Sequence, residues 1–129
     1  MNEIFFLDLN DVLVIHQNTL EHEGGAQGIR DIALVESAVA APAASFGGQY
    51  LHPNIASMAA ALMFSLVSNH GFVDGNKRVG TLATLVFRDV NGIEVYPPAH
   101  QLERVALAVA SGQMNQEELR QYWSGLLNP

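Results

Sequence analysis

The sequence predicts an all-α fold, a compact bundle of about six helices interrupted by one small β-hairpin. Three observations carry this. Apolar residues recur at the 3.6-residue spacing of amphipathic helices in segment after segment. Capping residues and Gly or Pro punctuate the ends of those segments. The period-2 alternation of strands is missing except near residues 43–53.

Taken in order, Asp8 or Asn10 can cap a first helix carrying Val12, Leu13, Ile15, His16 and Leu20, which Gly24 and Gly25 would stop. Asp31 can cap a second helix running to about Ala41, with Pro42 ending it. The segment from Ala43 to Pro53 places a glycine pair between short apolar and aromatic runs and reads as a hairpin. Ile55, Met58, Ala59, Leu62, Met63, Leu66 and Val67 form a complete apolar stripe for a third helix. The stripe resumes in a fourth at Val79, Leu82, Ala83, Val86, Phe87 and Val90, ending at Asn91-Gly92. Behind Pro97-Pro98, Leu102, Val105, Ala106 and Val109 mark a fifth. Asn115 and Glu118 form a capping-box-like pair before a sixth, with Leu119, Tyr122, Trp123 and Leu126 on one face. Arg88 and Arg104 read as solvated, and Trp123 and His16 as core or helix-face residues.

The 129 residues are expected to form one domain, 1–129, with 49% hydrophobic residues to fill a core. Without cysteine there is neither a disulfide nor a thiolate zinc site. The run Ile4 to Leu7 is short for a signal sequence, and Ser57 and Ser65 break the longest apolar stretch, so a cytoplasmic protein without a membrane span is expected. A net charge of −7 with only six Lys and Arg argues against direct nucleic-acid binding. Any bound anion must be held locally.

Residues 70–78, HGFVDGNKR, offer such a place, since they contain Lys77, the only lysine, next to Arg78. A loop here sets the N-terminus of the fourth helix at Gly75 to Arg78, where unpaired N–H groups and the helix dipole favour a phosphate. Gly75 allows close backbone approach. Asp74 would repel a bare phosphate but suits Mg²⁺, which pairs one or two carboxylates with phosphate oxygens and water. His70 has the chemistry of a base for a hydroxyl nucleophile, and Phe72 reads as the loop's apolar anchor. Singly, Asp74 and Asn76 are ordinary helix caps and Gly71 an ordinary C-cap. Gathered around the only lysine, they describe phosphoryl or nucleotidyl transfer.

The stretch resembles the Fic/Doc signature, in particular the death-on-curing (Doc) pattern H-x-F-x-[DN]-[AG]-N-K-R, matched at His70, Phe72, Asp74, Gly75, Asn76, Lys77 and Arg78. Residues 28–42 and 46–53 also resemble Doc-like chains. The resemblance implies a Fic-type helical core with a flap over the site at about 45–52, and His70 as the base. It further implies Asp74 as the Mg²⁺ ligand and Gly75, Asn76, Lys77 and Arg78 as the holders of ATP phosphates. Fic proteins mostly transfer AMP; Doc-type members transfer the terminal phosphate of ATP to a threonine of elongation factor Tu and halt translation. The AMP-transferring pattern has glycine where Lys77 stands and a second arginine where Thr81 stands, which favours the kinase-type reaction. AMP transfer and a catalytically inactive binding module are the alternatives.

The resemblance also implies a small antitoxin partner whose C-terminal segment folds into a groove. Thr19, Glu23 and Gly24 match a self-inhibition pattern of some Fic proteins, but its arginine partner corresponds to Thr81, so the match reads as fortuitous. His52 and Tyr50 either line the flap or form a plain turn. No Walker motif or recognised zinc spacing occurs.

Overall fold

Asp8 opens helix α1 (Leu9–Glu23) in the computed structural model, which describes residues 3–126. Its carboxylate accepts the Asp11 N–H while the Asp11 carboxylate accepts the Asp8 N–H, a reciprocal capping box. Gly24 ends α1 at φ 77°. Asp31 caps α2 (Ile32–Ala40), which tightens into a 3₁₀ turn, Ala41–Ala43, that accommodates the buried Pro42 near its start. The hairpin follows, with β1 (Ser45–Phe46) antiparallel to β2 (Gln49–Tyr50) across Gly47 and Gly48, both at positive φ. Asn54 and Ser57 form a second capping box at α3 (Ile55–Asn69). Helices α4 (Asn76–Val90), α5 (Ala99–Ala110) and α6 (Gln116–Ser124) complete the described chain.

Helix α3 is the axle. It packs against α2, α4, α5 and α6, while α1 lies across α2 and α4. Its expected stripe is buried, but so are Ala56, Ala60 and Ala61 on other sides. Small side chains there let neighbouring helices approach from several directions. Gly80 does the same from α4, since a Cβ at that position would stand 2.7 Å from Val67 Cγ2. Phe72, Phe87, Leu119 and Trp123 close the same cluster of buried residues.

Three expectations change. The face of α4 that is buried carries Val79, Gly80, Ala83, Thr84, Phe87 and Arg88, whereas Leu82, Val86 and Val90 are 42%, 38% and 47% exposed. Small Gly80 and Thr84 fit against α3 where branched side chains would not, and Thr84 Oγ1 donates internally to the Gly80 carbonyl. Arg88 is not solvated but 1% exposed: its guanidinium donates to the Val95 and Leu126 carbonyls and lies 4.6 Å from the Trp123 ring centre. The C-cap of α3 is His70 rather than Gly71; Gly71 is packed so tightly on α2 that a Cβ would fall 2.5 Å from Val35 Cγ2.

The hairpin forms where expected. Tyr50 meets Phe6 edge-on at 5.7 Å, and Phe6 stacks on Phe87 at 6.1 Å. These contacts tie β2 to the N-terminal segment and, through Phe6, to α4. Phe46, 83% exposed, projects from the hairpin.

Candidate active site

Residues 70–76 connect α3 to α4 and are held from two sides. The chain at 28–31 lies antiparallel to it: Ile29 bridges Phe72, Val73 N–H donates to the Gly28 carbonyl, and Arg30 and Asp31 N–H both donate to the Gly71 carbonyl at 2.8 and 3.0 Å. From α1, the buried His16 ring stacks on Phe72 at 3.8 Å between centres. His16 Nε2 lies 2.8 Å from the Asp74 carbonyl oxygen, which only accepts, so Nε2 carries the proton. Phe72 itself is 2% exposed and packs in the core cluster.

Asn76 closes the loop internally. Its Oδ1 accepts the Phe72 N–H at 3.1 Å and its Nδ2 donates to the Phe72 carbonyl at 3.0 Å. It is thus the first residue of α4 and not its cap. The cap is Gly75, at φ 84°, with no side-chain hydrogen bond to the helix. Among the described residues no side chain caps the first-turn N–H groups of α4, which lie beside the exposed Lys77 and Arg78.

Asp74 Oδ1 accepts the Gly75 N–H at 2.8 Å and Oδ2 accepts the Ala26 N–H at 3.1 Å. These two backbone donors, Ala26 first, hold its carboxyl below the usual aspartate range; Arg78 and Lys77 act in the same direction and desolvation opposes them. Each oxygen keeps lone-pair capacity for another partner. Among the described residues no three His, Cys, Asp or Glu side chains gather as a metal site. A single ionised carboxylate beside a helix N-terminus suits a Mg²⁺ that takes its other ligands from phosphate and water.

His70 presents an exposed imidazole at the other lip, and among the described residues nothing hydrogen-bonds its ring. The structure thus brings His70, Asp74, Gly75, Asn76, Lys77 and Arg78 onto one short loop and helix end. It also adds partners that sequence reasoning missed. Glu23 Oε2 lies 2.5 Å from Arg78 Nε, so the glutamate whose partner was thought missing pairs with the first motif arginine instead. Arg30 donates through its guanidinium to the carbonyls of Asn69 and His70. The one hint of Arg30 in the sequence was its rarity, as one of six cations in a glycine-flanked loop. Thr81 Oγ1 donates to the Lys77 carbonyl at 2.9 Å, engaging its hydroxyl within the helix.

A second concavity lies apart from the motif. Phe5, Phe6, Leu7, Val14, Ile15, Val86 and Val90, with Asp11 at its rim, line an open groove of about 560 Å³ between the N-terminal segment, α1 and α4. No helix among the described residues is long and apolar enough to cross a membrane.

Comparison with known proteins agrees with the motif. The model of the Fic/DOC family matches residues 6–88, from the approach to α1 through most of α4. Toxin Doc of Mycolicibacterium smegmatis is 39% identical over 90 residues, which is 70% of this chain and 67% of that protein.

Proposed function

The chain belongs to the Fic/DOC family, and from that premise we propose that it is a Doc-like toxin, a Mg-ATP-dependent kinase acting on a threonine hydroxyl of elongation factor Tu. Residues 1–129 work as one domain with its motif loop at 70–78. The observation that carries the reading is the N-terminus of α4: a first turn at Gly75 without a side-chain cap, flanked by Lys77, Arg78 and the ionised Asp74, on the same short loop as the exposed His70. Gly75, Asn76, Lys77 and Arg78 receive the triphosphate, and Asp74 holds the accompanying Mg²⁺. His70 takes the proton of the threonine hydroxyl as its oxygen bonds to the γ-phosphorus. The bond from that phosphorus to the β,γ-bridging oxygen breaks, and ADP leaves.

Phosphate transfer is favoured over AMP transfer by the two departures already noted. Lys77 adds a bulky cation at the phosphate cradle, and the Thr81 hydroxyl is occupied by the Lys77 carbonyl, offering no second clamp. The test is incubation with elongation factor Tu, Mg²⁺ and γ-labelled or α-labelled ATP, beside His70→Ala and Asp74→Ala. Label from γ-ATP that both variants lose is the expected result. Label from α-ATP alone would make the protein an AMP transferase, and silence from both would mean another target or a binding module.

The relative's name, Toxin Doc, supports a cognate antitoxin as partner. The groove beside Val86 and Val90 fits the apolar face of an antitoxin helix, with Asp11 at the rim suited to a basic residue on that helix. Such a toxin acts in the cytoplasm, where translation occurs.

A further inference from the structure

We infer that Arg30 is the positioning residue for His70, setting the direction of the base through the backbone; this rests on the role proposed above for His70. His70 is the only non-glycine residue at positive φ among those described, with φ 52° and ψ 46°. A residue with a Cβ holds the left-handed conformation only where its surroundings over-determine it. Those surroundings are visible. Arg30 Nε donates to the His70 carbonyl at 2.6 Å and Arg30 Nη2 to the Asn69 carbonyl at 3.2 Å, so one planar guanidinium spans two consecutive carbonyls at the end of α3. Asn69 Nδ2 adds a bond to the Leu34 carbonyl at 3.0 Å.

A purely structural role does not account for the fork. The bridge between Ile29 and Phe72 and the bonds to the Gly28 and Gly71 carbonyls already join the two segments through backbone alone. Arg30 is exposed and, among the described residues, has no carboxylate partner. What the backbone bonds leave free is the peptide plane after His70, and that plane is the one Arg30 holds. Because no hydrogen bond among the described residues steers the imidazole, what the fold fixes at this position is the Cα–Cβ direction, and the backbone at residue 70 sets it. A lysine, with a single ammonium, cannot grip both carbonyls in one plane. Nucleotide binding, by contrast, lies with residues 74–78 and does not involve Arg30.

The experiment compares the full-length chain with Arg30→Ala and Arg30→Lys in three measurements: kcat for phosphate transfer, Kd for Mg-ATP, and NMR backbone shifts at residues 69–71. We expect kcat to fall at least about tenfold in the alanine variant, as misplacement of a positioned base does, and less in the lysine variant. Kd for Mg-ATP stays within about twofold, and the left-handed shift signature of His70 is lost. Unchanged kcat, or a fall in kcat accompanied by a rise in Kd, both in step with lost thermal stability in both variants, would overturn the inference. If Arg30→Ala does not fold, Arg30→Lys is read in the same way. If the unmodified protein transfers no phosphate, the kinase reading falls by itself; the His70 shifts then decide, and their persistence without Arg30 overturns the positioning role.

Discussion

At the scale of single residues, the site turns on how charge is held in an acidic chain. Asp74 is ionised because backbone N–H groups from Ala26 and Gly75 favour its anion, with the cations of α4 adding to them. A carboxyl whose folded pKa lies below its unfolded value of about 3.9 contributes stability that is fully present above that value. The contribution is lost as pH falls through the lower, folded pKa. Following the Asp74 carboxyl carbon by NMR should therefore give a midpoint below that of a free aspartate, and Ala26→Pro, which removes one donor, should raise it. Glu23 poses the opposite question, whether its pair with Arg78 restrains the enzyme. Both side chains are about half exposed, and exposed pairs are worth so little that Glu23→Gln should change the Mg-ATP Kd by less than about fivefold. A much larger gain in affinity or activity would make the pair an inhibitory latch. The motif residues were legible because they surround the only lysine of an acidic chain and the chemistry needs them adjacent. The partners Arg30 and His16 were not, because the backbone carbonyls and long-range contacts that engage them leave no mark at fixed spacing; Glu23 stood in a spaced pattern, but its pairing with Arg78 did not.

At the scale of elements, caps and period located every helix, and the reason is local. Asp8, Asp31 and Asn115 accept N–H bonds within three residues, so their effect is written in adjacent sequence. Which side of a helix turns inward is a different matter. The branched residues of α4 suggested Leu82, Val86 and Val90 as core, yet the close approach to α3 selects Gly80 and Thr84 instead. The displaced apolar row becomes the flank of the groove. Val90→Lys should then abolish capture of a cognate antitoxin while changing unfolding stability by no more than about 0.5 kcal/mol, as at other exposed positions. Equal antitoxin affinity would remove the groove from the interface. Gly71→Ala tests the other junction, between α2 and the motif loop. The added Cβ meets Val35 Cγ2 at 2.5 Å and the Val35 backbone nitrogen at 3.1 Å. Overpacking against a helix backbone should cost about 1–3 kcal/mol in urea unfolding, and a neutral result would show that α2 shifts freely.

For the molecule as a whole, the question is what ties the last helices to the motif-bearing pair, and Arg88 supplies one tie. It leaves α4 and reaches the Val95 carbonyl before α5 and the Leu126 carbonyl after α6, with the Trp123 ring beneath it. Burial pushes its guanidinium below the ordinary arginine value, while Tyr122 and Tyr96 oppose that shift, and an arginine so placed still carries its charge at neutral pH. Nothing in the local sequence distinguishes this arginine from a solvated one; only the arrival of two carbonyls and an indole from distant segments does. Arg88→Met keeps much of the apolar stem and removes the donors, leaving two partly buried carbonyls without them. At about 1–3 kcal/mol for each orphaned group, less what water regains, the variant should lose about 2–4 kcal/mol in urea unfolding. Arg120→Met serves as the control, since Arg120 pairs only with Glu117 on the surface of α6 and its loss should leave the unfolding midpoint within error. If the two variants unfold alike, Arg88 is a passenger in the core, and the bundle is closed by the apolar contacts of Trp123 and Leu119 alone.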